Sequence, residues 1–147
     1  MTSLDHLFVE MKIAGKQSLL ILLHKDGTIN RTGNGTIHID KNLFIGVTDT
    51  AGILQELTGL ITTDFEGALN KVFDLPEKKG DVCSLEIAMA EGKETKGIKF
   101  IYGTKSVGPP QEIKDFVLRA VALTDPWYLQ QQKAVPQPAK KWWQFWK

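Results

Sequence analysis

The chain has 147 residues, 42% hydrophobic and 24% charged, as is typical of a single globular domain. Its net charge of +1 hides an asymmetry: residues 133–147 hold four lysines and no acid, so residues 1–132 carry 14 basic against 17 acidic side chains, a net charge of −3. An acidic body lacks the basic surface that a phosphate backbone requires, and we expect no nucleic-acid partner.

The first third of the chain predicts an antiparallel meander. Apolar and polar residues alternate over 7–13, which is the period of a half-buried strand, whereas 19–23 is apolar on both faces and suits a central strand. The turn sequence Asp26-Gly27 then leads into a returning strand. The further short strands are expected at 28–31, 36–40 and 43–47, with a turn at 33–35.

From residue 50 onward the spacing of the apolar residues changes to that of a helix. Apolar residues from Ile53 to Ile61 form one helical stripe and predict a helix over 50–62, with Asp49 or Thr50 as its N-cap. A second, short helix is expected over 65–73 because Thr63 and Glu66 have the spacing of a capping box.

The second half of the chain predicts a hairpin followed by a helix. Apolar residues alternate with polar or small ones over 83–89 and again over 98–102. Pro109-Pro110 can open a helix, since proline is tolerated in a first turn. We expect that helix to end at Thr124-Asp125-Pro126.

Together these elements predict an α+β fold. An antiparallel sheet, made of the N-terminal meander plus the later hairpin, should pack against two or three helices, with a flexible C-terminal tail. The expected organisation is a globular domain over 1–129, a Gln/Pro-rich linker over 130–139 and a Trp/Lys-rich tail over 140–147.

Two His-x-Asp steps form the candidate catalytic or metal site, His24 with Asp26 and His38 with Asp40. Residues two apart on a strand point the same way, so each step presents an imidazole beside a carboxylate. The alternative is that these are turn carboxylates and a solvated strand face, because Asp26 is also needed by its turn and Ile37 and Ile39 would face inward.

Three further residues are candidates on chemical grounds. Cys83 is the only cysteine and a potential nucleophile, but its phase matches Leu85, which favours a place in the core. Trp127 and Tyr128 follow the last predicted helix and either close the core or form an aromatic platform for a ligand. Core packing is the favoured interpretation for both.

When the tail is projected as a helix, its polar and its aromatic residues fall on opposite sides. One side carries the lysines and the glutamine, and the other carries the rings. Such a segment is too short to be helical alone in water, so we expect it to fold only on an apolar surface. The docking residues are Lys140, Lys141, Trp142, Trp143, Phe145, Trp146 and Lys147.

We therefore expect a non-catalytic binding or adaptor domain without cofactor or metal. Its tail should attach to a protein partner, to a second copy or to an anionic membrane surface. The alternative is a small metal-dependent or hydrolase-like enzyme that uses His24 and His38 with Asp26 and Asp40. With no secretory signal in the sequence, we expect a cytoplasmic protein, peripheral at the inner membrane surface if the tail meets lipid.

Overall fold

The computed structural model describes residues 3–35 and 42–134, and this part of the chain forms a mixed seven-stranded sheet and three helices. The strands are β1 (His6–Ile13), β2 (Lys16–His24), β3 (Thr28–Gly33), β4 (Phe44–Val47), β5 (Lys71–Asp74), β6 (Val82–Glu91) and β7 (Glu94–Gly103). The helices are α1 (Thr50–Thr58), α2 (Thr63–Ala68) and α3 (Gln111–Ala134).

The strand order is β4-β3-β2-β1-β6-β7-β5, which joins the predicted meander and the predicted hairpin into one sheet through the antiparallel pair β1 and β6. The α+β class and the antiparallel pairing within the meander and the hairpin are confirmed. One edge differs from the prediction, because β5 pairs with β7 in parallel. The strand expected over 36–40 lies outside the described residues.

The predicted helix over 65–73 is wrong in its second half. The helix α2 is capped by Thr62, whose hydroxyl accepts a hydrogen bond from Phe65 N–H, and it ends at Ala68. Asn70 then takes a positive φ of 66°, and its N–H donates to the carbonyl of Gly97 on β7. Pairing with β7 thus turns the following residues into β5, for which Val72 and Phe73 have the better propensity.

The core lies on one face of the sheet. Leu7 and Val9 of β1 are fully buried there, as are the alternate residues of the other central strands, beneath Leu57 of α1 and Phe116 of α3. The same alternation directs other apolar side chains to the opposite face, including Val72, Val82 and Ile101 in its β5 half. This outer face, which no helix in the described ranges covers, carries Phe8, Leu20, Leu22, Ile45 and Val47.

The helix α3 does not stop at Pro126 as predicted but continues to Ala134, so residues 130–134 of the expected linker are helical. Proline removes a backbone donor and crowds the preceding turn. Here the fully buried Arg31 of β3 donates to the carbonyl of Val121 (3.3 Å) and to Oγ1 of Thr124 (2.7 Å) in that turn. Arg31 also pairs with the carboxylate of Asp125 at 3.0 Å, which anchors the proline-containing turn to the sheet.

Helix α1 begins as predicted, because a carboxylate oxygen of Asp49 accepts from the N–H of Gly52 at 3.2 Å. It ends at Thr58, a turn earlier than expected, and an ion pair between Glu56 and Arg119 joins it to α3. Within the described ranges, no helix combines the length and the apolar character needed to cross a membrane.

Candidate functional site

A cavity of about 370 Å³ lies between the first turns of α3 and the ends of three central strands. Gly103, Thr104, Ser106, Gly108 and Pro109, from the end of β7 and the loop that follows it, close one side. The remaining lining residues are Met11, Ile13, Gly35, Cys83, Leu85, Tyr102, Lys114, Val117 and Leu118.

The walls of this cavity are mainly apolar, and its polar side chains are those of Cys83, Tyr102, Thr104, Ser106 and Lys114. The loop beside β7 is fixed by Ser106, whose hydroxyl accepts from the N–H of Gly103 at 3.0 Å and donates to the Gly103 carbonyl at 3.1 Å. A side chain at Gly108 would lie 3.5 Å from both the Tyr102 ring and Cε of Lys114, so glycine leaves this space open. Lys114 itself is exposed and brings an ammonium group to the rim.

Two ionisable groups in the wall stay neutral at physiological pH. Burial raises the pKa of Tyr102 to about 12, with a smaller contribution from Cys83. Burial and the nearby Asp81 carboxylate raise the pKa of the Cys83 thiol as well. Cys83 is buried, as its alternation with Leu85 predicts, and it contributes a neutral thiol rather than a thiolate to the cavity.

His24 contacts another histidine instead of the residues with which it was predicted to act. Its Nδ1 lies 3.0 Å from Nδ1 of His6, which faces it across β1 and β2, and the two rings meet edge to face at 4.2 Å between centroids. One ring must donate and the other accept, so the contact requires at least one neutral imidazole. Burial, and secondly the positive charge of His24, lower the pKa of His6.

The side chain of Asp26 stabilises the turn in which it lies. One carboxylate oxygen accepts from the N–H of Thr28 at 2.9 Å and from the Thr28 hydroxyl at 2.7 Å, and these bonds lower the pKa of Asp26. His38 and Asp40 lie outside the described residues. Among residues 3–35 and 42–134, no group of three or more His, Cys, Asp or Glu side chains is placed to hold a metal ion.

Trp127 and Tyr128 pack on the sheet near its β4 edge. The Tyr128 ring is buried, its hydroxyl accepts from the N–H of Gly33 at 3.0 Å, and the guanidinium of Arg31 lies 4.3 Å from its centroid. Trp127 is partly buried over Gly46 of β4, where a Cβ would lie 2.7 Å from the indole ring. The seven predicted docking residues between Lys140 and Lys147 lie outside the described residues.

Sequence reasoning missed His6, Arg31 and the cavity. Lys114 and the residues that surround it come from four distant stretches of chain, and no local pattern marks them as neighbours. An arginine inside an otherwise ordinary strand was the available signal for Arg31, because an internal arginine on a strand requires partners on the facing layer.

The sequence matches no family model and no curated protein.

Proposed function

We propose that this protein is a non-catalytic binding domain. Its body holds a small ligand in the cavity between α3 and the sheet, and its residues 140–147 provide a second attachment to a protein partner or an anionic membrane surface. The observation that carries the proposal is the cavity, which combines apolar walls with the ammonium group of Lys114 at its rim.

The dimensions and chemistry of the cavity favour an amphipathic anion. Its volume of about 370 Å³ falls within the range of small-molecule sites, roughly 300–1,000 Å³. Each methylene group of a ligand that moves from water into contact with such walls contributes about 0.8 kcal/mol to the free energy of binding. A carboxylate at the mouth would meet Lys114, and the neutral Cys83 and Tyr102 add no negative charge deeper inside.

The second attachment increases the effect of the first. The four lysines in residues 133–147 carry the charge opposite to that of the acidic body and would be attracted to an anionic surface. The aromatic rings of the tail would bind an apolar surface. Two weak attachments on one chain bind more tightly together than either alone, because the second event becomes intramolecular.

Isothermal titration with decanoate tests the cavity. We expect saturable binding to the full-length protein and affinity reduced about tenfold, or about 1.4 kcal/mol, in Lys114→Glu, because a carboxylate replaces the ammonium group at the mouth. Lys133→Glu makes the same change at the other end of α3 and is the control. Equal decanoate affinity in the two variants, or no binding at all, would contradict the proposal.

Sedimentation with phosphatidylglycerol vesicles tests the membrane form of the second attachment. The full-length protein should co-sediment, and Trp143→Glu should not, because a carboxylate in the apolar stripe is repelled by the anionic surface and costly to bury. Unchanged sedimentation of Trp143→Glu would exclude the tail as the membrane contact.

A further inference from the structure

Two histidines face each other across neighbouring strands on the outer face of the sheet. His6 of β1 is the direct partner of His24 of β2 in the antiparallel register, and Nδ1 of one ring lies 3.0 Å from Nδ1 of the other. Both residues are half-buried, so one side of the pair is open to solvent. The pair therefore presents two imidazole nitrogens side by side at the surface.

The backbone holds both histidines in place before any ligand binds. His6 is paired on both sides, because Ala90 of β6 is its partner across from β2. The carbonyl of His24 accepts from the N–H of Gly27 at 3.1 Å and from the hydroxyl of Thr50 at the start of α1. Side chains that are positioned in advance lose little conformational freedom on binding, which favours affinity.

A hollow of about 520 Å³ lies beside the pair. The row of residues that crosses the sheet at this level continues from His6 to Ala90 of β6 and then to Thr95 of β7. Because the side chain of Ala90 is a single methyl group, the row leaves room beside the imidazole rings for an ion and its water molecules. The other residues around the hollow are Asp5, Lys25, Asp26 and Gly92.

The charges around the hollow favour a cation. Asp5 accepts from the N–H of Gly92 at 2.8 Å and lies 3.4 Å from Nζ of Lys25, and these contacts lower the pKa of Asp5. The hydrogen bonds from Thr28 lower the pKa of Asp26, so both carboxylates are ionised at neutral pH. Two carboxylates against one ammonium group leave an excess of negative charge beside the imidazoles, which attracts a cation and disfavours an anion.

The type and spacing of the two nitrogens select a transition-metal ion. Imidazole nitrogen is a good ligand for Zn²⁺, Cu²⁺ and Ni²⁺, whereas Mg²⁺ and Ca²⁺ prefer oxygen. Two nitrogens that each lie about 2.0–2.1 Å from one ion are roughly 2.9 Å apart at a right angle and roughly 3.4 Å apart at the tetrahedral angle. The observed 3.0 Å fits the right angle of tetragonal and square-planar sites, which are typical of Cu²⁺ and Ni²⁺.

We propose that His6 and His24 bind one Cu²⁺ or Ni²⁺ ion through their Nδ1 atoms, with water at the remaining positions. The ring that donates in the present contact then carries its proton on Nε2, because both Nδ1 atoms must be free to coordinate. The proposal departs from the expectation of a domain without metal, which considered His24 with Asp26 and not with His6. The site shares no residue with the cavity beside α3, so its test is independent of the function proposed above.

Isothermal titration of the full-length protein with Ni²⁺ tests the site. We expect one ion to bind per chain, and both His6→Gln and His24→Gln should lower the affinity at least about tenfold, since even a partner that only orients a metal ligand is worth about 10–100-fold. His38→Gln removes the third histidine of the sequence and is the control. Absent binding, an unchanged affinity in either of the first two variants, or an equal loss in the control would each overturn the proposal.

Electron paramagnetic resonance of the protein with one equivalent of Cu²⁺ identifies the ligands without relying on a variant to fold. The modulation of the electron spin echo by imidazole nitrogen should correspond to two rings in the wild type. It should correspond to one ring in His24→Gln and again to two in His38→Gln. A wild-type signal from one ring or from none would refute the assignment of His6 and His24 as a chelating pair.

Discussion

Replacement of Arg31 by methionine should be among the most damaging single changes in the described part of the chain. The guanidinium is fully buried and donates from Nε to the carbonyl of Gly33 at 3.0 Å and from Nη1 to Oγ1 of Thr124 at 2.7 Å. Each interior hydrogen bond from a charged donor contributes roughly 1.5–3 kcal/mol. Pairing with Asp125 adds at most about 1 kcal/mol, because that carboxylate is 41% exposed.

The expected loss for Arg31→Met is therefore about 3–6 kcal/mol. Typical domains have about 5–15 kcal/mol of stability in total, so the variant should unfold at a clearly lower urea concentration. Methionine fills much of the volume but leaves the Gly33 carbonyl without its donor, so packing alone cannot restore the loss.

Urea denaturation followed by far-ultraviolet circular dichroism measures the effect. Arg119→Met is the matched control, because Arg119 also lies at a helix contact, yet both it and its partner Glu56 are exposed. We expect a loss below about 1 kcal/mol for the control. Equal losses for the two arginines would refute the claim that Arg31 holds the Pro126 turn of α3 against the sheet.

Three further changes test other parts of the structure. Gly33→Ala should abolish folding to the native state, because φ is +71° and a Cβ would lie 2.1 Å from the carbonyl oxygen of Ser18. Gly92→Ala is the control, since Gly92 has a similar φ of +59° but open space around it. Thermal denaturation should show a loss of only about 1 kcal/mol of stability for Gly92→Ala. The pKa of His6 is lowered from 6.5, so its contribution to stability should be complete above that pH and lost as the pH falls through the lowered value. Urea midpoints measured across this window should show the decline in the wild type and not in His6→Asn. The native thiol of Cys83 should react with a thiol reagent far more slowly than the unfolded chain does, since burial raises its pKa, and equal rates would contradict its place in the cavity wall.

Local patterns predicted most of the elements, and the errors arose where distant partners decide. The period-2 alternation in β1, β6 and β7 and the helical stripe of α3 survived in the structure because burial on one face selects one side-chain period. The stretch containing Val72 and Phe73 fits a short helix as well as a strand, and pairing with β7 selects the strand. Pro126 is a helix stop in isolation, whereas in the structure Arg31 of the sheet binds the helical turn before it.

The histidine pair shows why the candidate site was harder to predict than the fold. At the turn, Ile13 pairs with Lys16, and that register, continued without interruption, would place His6 opposite Leu23. The bulge between Met11 and Lys12 shifts the register by one residue and brings His6 opposite His24. Sequence periodicity carries no signal for such a shift, so the neighbour of His24 could not be found from spacing.

The position of β1 between β2 and β6 has a consequence for synthesis. Of the seven described strands, the first to be synthesised is the middle one of the finished sheet, and His6 gains its second neighbour only when Ala90 has been synthesised. Until then the nascent polypeptide holds a four-stranded half with an unpaired, apolar border, the kind of border that invites pairing with another molecule. Chaperone demand during translation should therefore peak before residue 91 emerges and fall once β6 closes that border.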